Sequence, residues 1–132
     1  MRKNKRKFLD DIGCIYRPTD LIGDRVERKR WKKQRKKYGF DEREVYILDY
    51  MWHLWLYEHL SMYLQVANGV PTKNEFKYKD KIYTQEEMIQ MILDRLSLEL
   101  GPDTAWTTSK ENVNYVKEVE DLWAVVCSSL WC

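Results

Sequence analysis

The residues of this chain whose types and spacing most plainly suggest chemistry are cations. Between Arg28 and Lys37 eight of ten positions are Lys or Arg: Arg28, Lys29, Arg30, Lys32, Lys33, Arg35, Lys36 and Lys37. As a helix this tract is about 15 Å long. With positive charge on all sides it cannot be buried without leaving charges unpaired, so it is expected at the surface. Duplex DNA offers one phosphate charge per about 1.7 Å of axis, and a helix this basic can meet several of them. Trp31 joins the candidate set, as a ring that stacks on bases or anchors the helix to the core, and Tyr38 has the same two uses. Arg2 to Lys7 supply a flexible second contact. Phosphate contacts carry no sequence information, so the expected partner is a nucleic acid or a nucleoprotein bound without sequence specificity. Two plainer alternatives stand beside it. One is an acidic protein partner, and the other is a solvated helix neutralised by the chain's own acidic remainder.

Other constellations are weaker. Asp49 and His53 lie four apart, and Glu58 and His59 follow them. Neither Glu-x-x-His nor His-Glu-x-x-His occurs, and His53 and His59 lie six apart and so face different directions on a helix. No metal and no cofactor is predicted. His53 is expected to be satisfied by a neighbouring Tyr or Trp, and Asp49 by a network with Tyr or Arg, since a buried carboxylate needs a partner. Glu86, Glu87, Asp94 and Glu99 are the carboxylates a Mg²⁺-dependent hydrolase would muster, but Glu86 and Glu87 suit the first turn of a helix. Cys127 lies on an apolar face. Gly-x-Ser-x-Gly and a phosphate-binding glycine loop are both absent. No enzyme is predicted.

The elements that must position these residues follow from composition and pattern. The chain has 132 residues, 44% apolar, 14% aromatic and 33% charged. That suits one domain with a dense aromatic core inside a charged surface. No apolar run is long enough to span a membrane. The basic start meets Asp10 and Asp11 instead of an apolar signal region, so a cytoplasmic protein is expected. Cys14, Cys127 and Cys132, odd in number and unpaired in spacing, are expected to be free thiols. Residues 1–37 carry 15 Lys/Arg against 5 Asp/Glu, and residues 38–132 carry 8 against 16. The net charge of +2 therefore hides halves of +10 and −8.

Residues 1–18 read as a basic arm, since Gly13 and Pro18 oppose a long helix. Residues 19–132 read as a single helical domain. A first helix is predicted from Asp20 to Tyr38, with Thr19 or Asp20 as N-cap and Gly39 as left-handed C-cap. A second spans Glu42 to Val66. Asp41 and Glu44 form its capping box, and Phe40 with Val45 a hydrophobic staple. Its apolar arc, from Val45 through Trp52, Trp55 and Leu60, is wide enough to predict burial on most sides, and its aromatic run reads as core. Phe76 to Tyr83 alternate as a small hairpin. Thr84 and Glu87 cap a third helix to Leu100, and Ser109 or Thr108 a fourth from Lys110 to Leu130. The fold class is all-α in the main, a helical bundle of about four helices with a small β-hairpin appendage.

The run Tyr38-Gly39-Phe40-Asp41-Glu42-Arg43-Glu44, with Leu48-Asp49-Tyr50 and Trp55-Leu56-Tyr57-Glu58-His59-Leu60, carries a resemblance. It is similar to small uncharacterised proteins of tailed phages and prophages of Gram-positive bacteria. These share a GFD-x-x-E-x-(W/Y)-x-LD start followed by a long aromatic helix. Tyr46 stands where that pattern commonly has Trp, and the family brings no catalytic residues. The resemblance implies a phage context, in which proteins of this size inhibit host machinery, including defence nucleoproteins, or assist assembly. The expectation is thus a non-enzymatic phage protein binding nucleic acid or a host nucleoprotein through Arg28–Lys37, as an anti-CRISPR-like inhibitor would. A self-associating structural or assembly protein, a homo-oligomer, is the rival class. A metal-dependent hydrolase is the third.

Overall fold

The computed structural model describes residues 6–14, 16–66, 75–102 and 110–130, and the side chains of all these but 110–116. Its elements are α1 (Lys7–Asp11), α2 (Arg25–Tyr38), α3 (Leu48–Val66), β1 (Glu75–Tyr78), β2 (Lys81–Thr84), α4 (Gln85–Leu100) and α5 (Lys110–Val126). Short 3-10 turns cover Pro18–Asp20, Glu42–Val45 and Cys127–Ser129. The fold is mainly α-helical with a small antiparallel hairpin. No described helix is long and apolar enough to cross a membrane.

The core lies between α3, α4 and α5. Helix α4 begins where Thr84 accepts from the Glu87 backbone N–H and Glu87 returns a bond to Thr84 N–H. It turns Met88, Ile89, Ile92, Leu96 and Leu100 fully inward at 3–4 spacing, each worth about 2 kcal/mol of burial. Val119, Leu122 and Val126 of α5 meet them, as do Leu54, Leu56 and Leu60 of α3. The hairpin pairs Phe76 with Tyr83 and packs Phe76, Tyr78 and Tyr83 on this core, against α4 and α5. Its turn holds Lys79 and Asp80 at positive φ, the left-handed pair that matches strand twist.

Several expectations are corrected. Residues 6–14 of the expected arm are part of the packed structure: α1 packs on α3, and Leu9 is fully buried. Arg6 donates to Glu58 through Nε at 3.1 Å and to Thr19 at 3.0 Å. Gly13 ends this short helix at positive φ, so the glycine limits α1 without preventing it. Helix α2 starts at Arg25, not Asp20. Asp24 and Glu27 form a reciprocal capping box, and Gly23 just ahead takes φ +68, which no helix continues. The box at Asp41 and Glu44 forms, but it opens the 3-10 turn, and α3 begins at Leu48. Phe40 and Val45 are exposed, so the staple does not bury them. Helix α3 is not covered on most sides, because Leu48, Trp55 and Met62 remain exposed. Cys14 and Cys127 are free thiols, as expected. Cys132, the caps at Thr108 or Ser109, and the side chains of Val113 and Val116 lie outside the described residues.

Candidate nucleic-acid interface

Helix α2 follows from local chemistry. Its Lys, Arg and Gln positions favour helix. Gly39 closes it at φ +87, its N–H on the Arg35 carbonyl at 2.9 Å, and Arg35, Lys36 and Lys37 in the last turn suit the dipole. It lies apart from the tightly packed elements and is fastened at few points. The first is Trp31, 3% exposed. Its ring lies under the Arg43 guanidinium, 4.2 Å from carbon to centroid, and against Gly23, where a Cβ would sit 2.4 Å from the indole. The second is Asp41, 2% exposed, which accepts from Arg35 at 2.7 Å and from Arg43 at 2.7 and 3.0 Å. The Arg43 and Arg35 guanidiniums hold its carboxyl at about 2, against burial that works the other way. The third is Glu42, paired with Arg30 and bonded to Gln34 at 3.0 Å and to the Tyr46 hydroxyl at 2.8 Å. Arg43 also donates to the carbonyls of Thr19 and Leu21, at 2.8 and 2.7 Å, so one side chain joins three segments.

These fastenings sort the cations. Arg30 and Arg35 flank the docked side and reach the chain's own carboxylates, while Arg28 donates to the Gly23 carbonyl at 2.9 Å. Lys29, Lys32, Lys33, Lys36 and Lys37 follow i, i+3, i+4, i+7, i+8 spacing and so share one face, opposite Trp31 and Gln34. All five are exposed, and among the described residues none forms an ion pair. The charge is therefore not equal on all sides: Arg28, Arg30 and Arg35 bond to the chain itself, and the five lysines face water. Trp31 is corrected as a candidate contact. It is the anchor, and its buried ring cannot stack on a base. Tyr38 is exposed, beneath the Lys37 ammonium at 5.2 Å from the ring centroid. The lysine face works against itself, since 29/33, 32/36 and 33/37 are like-charge i,i+4 pairs, each costing about 0.3 kcal/mol. An anion that bridges them relieves this.

Beside α2 runs a groove of about 1010 Å³, lined among others by Arg35 of α2, Arg43, and Leu48, Trp52 and Trp55 of α3. The rings of α3 are stacked there. Trp55 lies 3.8 Å from His59 and 5.3 Å from Trp52, with interplanar angles of 15° and 16°, and Trp123 meets Trp52 edge-on at 5.6 Å. His59 Nδ1–H donates to the Trp55 carbonyl at 2.7 Å, which fixes its ring. Residues 52, 55 and 59 form a readable i, i+3, i+7 stripe. Taken from the sequence as core, its outer part is surface.

The metal and hydrolase constellations are not assembled. Asp49 is exposed and accepts from the Tyr50 backbone N–H at 2.9 Å, without the expected Tyr or Arg network. His53 is buried, but its partners are not aromatic: Nδ1 meets Glu99 at 2.5 Å and Nε2 meets Glu120 at 2.7 Å. Burial opposes a charge there, yet the two carboxylates outweigh it and raise the His53 pKa. Glu87 completes its capping box, Asp94 accepts from Gln90, and Glu99 serves His53. Among the described residues no group of three such side chains is placed to hold a metal ion. Nothing local in the sequence marks Arg43 as a partner of Trp31, or Glu99 and Glu120 as partners of His53; Glu99 stands out there only as a hydrolase carboxylate. No protein-family model, curated protein or solved structure matches the chain.

Proposed function

We propose that the protein is a non-enzymatic binder of nucleic acid, alone or within a nucleoprotein, and that the lysine face of α2 is its contact. The observation that carries this reading is the five exposed lysines on one side of a helix whose Arg30 and Arg35 are already paired with the chain's own carboxylates. A solvated helix neutralised by its own chain would have spent the lysines too. Five contacts along about 12 Å of helix match the phosphate density of a duplex or a strand. The reading extends to a phage protein acting in the host cytoplasm on a defence nucleoprotein, in the manner of an anti-CRISPR; that part is supported by the resemblance of residues 38–60 alone. Replacing Lys32, Lys33, Lys36 and Lys37 by Glu is expected to weaken oligonucleotide binding at least a hundredfold in low salt, with helicity by circular dichroism unchanged. Undiminished binding rejects the reading. Wild-type affinity is expected to fall with salt at a log–log slope of about −4.

A second reading, a self-associating structural protein, draws on a different observation. Tyr38, Phe40, Val45, Tyr46, Ile47 and Leu48 are all exposed within eleven residues, an apolar patch of the kind that protein interfaces cover.

A further inference from the structure

The lysine face by itself does not distinguish a duplex from a single strand, but the groove beside it does. Its guanidiniums are already engaged, Arg6 with Glu58 and both Arg35 and Arg43 with Asp41. Asp20 and Glu44 add negative charge to its walls. A phosphate has little to gain there and is better placed on the lysines. What the groove offers is rings. Trp55 is 47% exposed although Trp52 and His59 cover its two faces, so its edge is open to the groove. His59 ends the series. One face of its imidazole lies on Trp55, and the residue lines a second groove of about 760 Å³ with Phe8, Met62 and Tyr63. Arg6 and Glu58 line both grooves, so the two are neighbours. The stack is fastened at both ends: Trp123, half-buried against the core, meets Trp52 edge-on, and the Nδ1–H bond holds the His59 ring. Such a stack is already the geometry in which a further flat ring adds as the next rung, and it loses little freedom in accepting one.

We propose that the ligand is a single strand, its phosphates on the lysines of α2 and its unpaired bases in the second groove, extending the stack on the His59 face turned away from Trp55. The inference rests on the reading of α2 given above. A duplex keeps its base faces to itself and can use only the lysines. A single strand uses both, because every base has a face to stack, and this mode is tolerant of sequence.

The test compares a short fluorescein-labelled oligothymidylate with a duplex of the same length, by anisotropy at fixed salt. The wild type is expected to prefer the single strand about tenfold. The double variant Trp55→Ala, His59→Ala is expected to lose that preference. Because two large rings are removed, a second variant, His59→Tyr, guards against a fold defect: it keeps a ring at the end of the stack and is expected to keep the preference. A wild type that binds duplex as well as single strand overturns the inference and leaves the lysine-face reading intact. A preference that survives in the double variant, or is lost in His59→Tyr, overturns it likewise. Failure to bind either oligonucleotide removes both readings.

Discussion

His53 is held inside the bundle between carboxylates from two other helices, Glu99 of α4 and Glu120 of α5. Folding raises its pKa above the ordinary imidazole value, the carboxylates outweighing desolvation. A group whose pKa rises on folding contributes its full stability below the unfolded value, and loses it as pH climbs through the folded one. The melting temperature of the wild type is therefore expected to fall between mildly acidic and alkaline pH. His53→Gln, which leaves Glu99 and Glu120 facing a neutral side chain, is expected to lose about 2 kcal/mol at mildly acidic pH and to show a flatter pH profile over the same range. A parallel profile for variant and wild type in thermal melts contradicts the account. That His53 would be buried was legible, since it sits among Trp52, Leu54 and Leu56. Its partners were not: they lie 46 and 67 residues away, and a carboxylate that will turn inward looks in sequence like any other on a helix.

At the scale of the element, α2 shows how few contacts hold a charged helix. Its own bonds and caps make it helical, while Trp31, Asp41 and Glu42 decide how it is carried. Gly23 is the narrow point: it needs φ +68, and the indole fills the space a side chain would take. Gly23→Ala is expected to cost about 2 kcal/mol and to expose Trp31, seen as a red shift in its fluorescence. Gly39→Ala, at φ +87 but with open space around it, is expected to cost about half as much and to leave the indole covered. Equal effects of the two would deny Gly23 its packing role. The capping boxes at Asp41–Glu44 and Thr84–Glu87 were readable because they are made within four residues. The box at Asp24–Glu27 obeys the same rule, and the extended backbone at Leu21 together with the positive φ at Gly23 excludes a start at Thr19 or Asp20. Asp41 opens a 3-10 turn while Arg35 and Arg43 pair with its carboxylate, and α3 begins at Leu48.

For the whole chain, residues 1–37 carry +10 and residues 38–132 carry −8, and the exposed apolar residues from Tyr38 to Leu48 directly follow the basic helix in sequence. A copy that places its acidic side on another's lysines would associate head to tail, without closing. Light scattering separates this from nucleic-acid binding. A monomer at low salt in nuclease-treated protein is expected from the reading favoured above, whereas an oligomer that dissociates as salt rises supports self-association.

The amino-acid order alone determined what depends on near neighbours and on totals. It set the helical class, the hairpin, two capping boxes, the left-handed end of α2 and the division of charge, because periodicity, caps and net charge act over one or two turns or need no geometry at all. The tertiary structure decided which way each element faces. Of the two uses open to Trp31 it took the anchor, and it paired Arg30 and Arg35 with carboxylates while leaving the lysine face exposed. It drew residues 6–14 onto α3, gave His53 its two glutamates, and left the edge of the Trp55 stack in a groove. Each of these is a contact across many residues, and its partner is selected by packing against everything else.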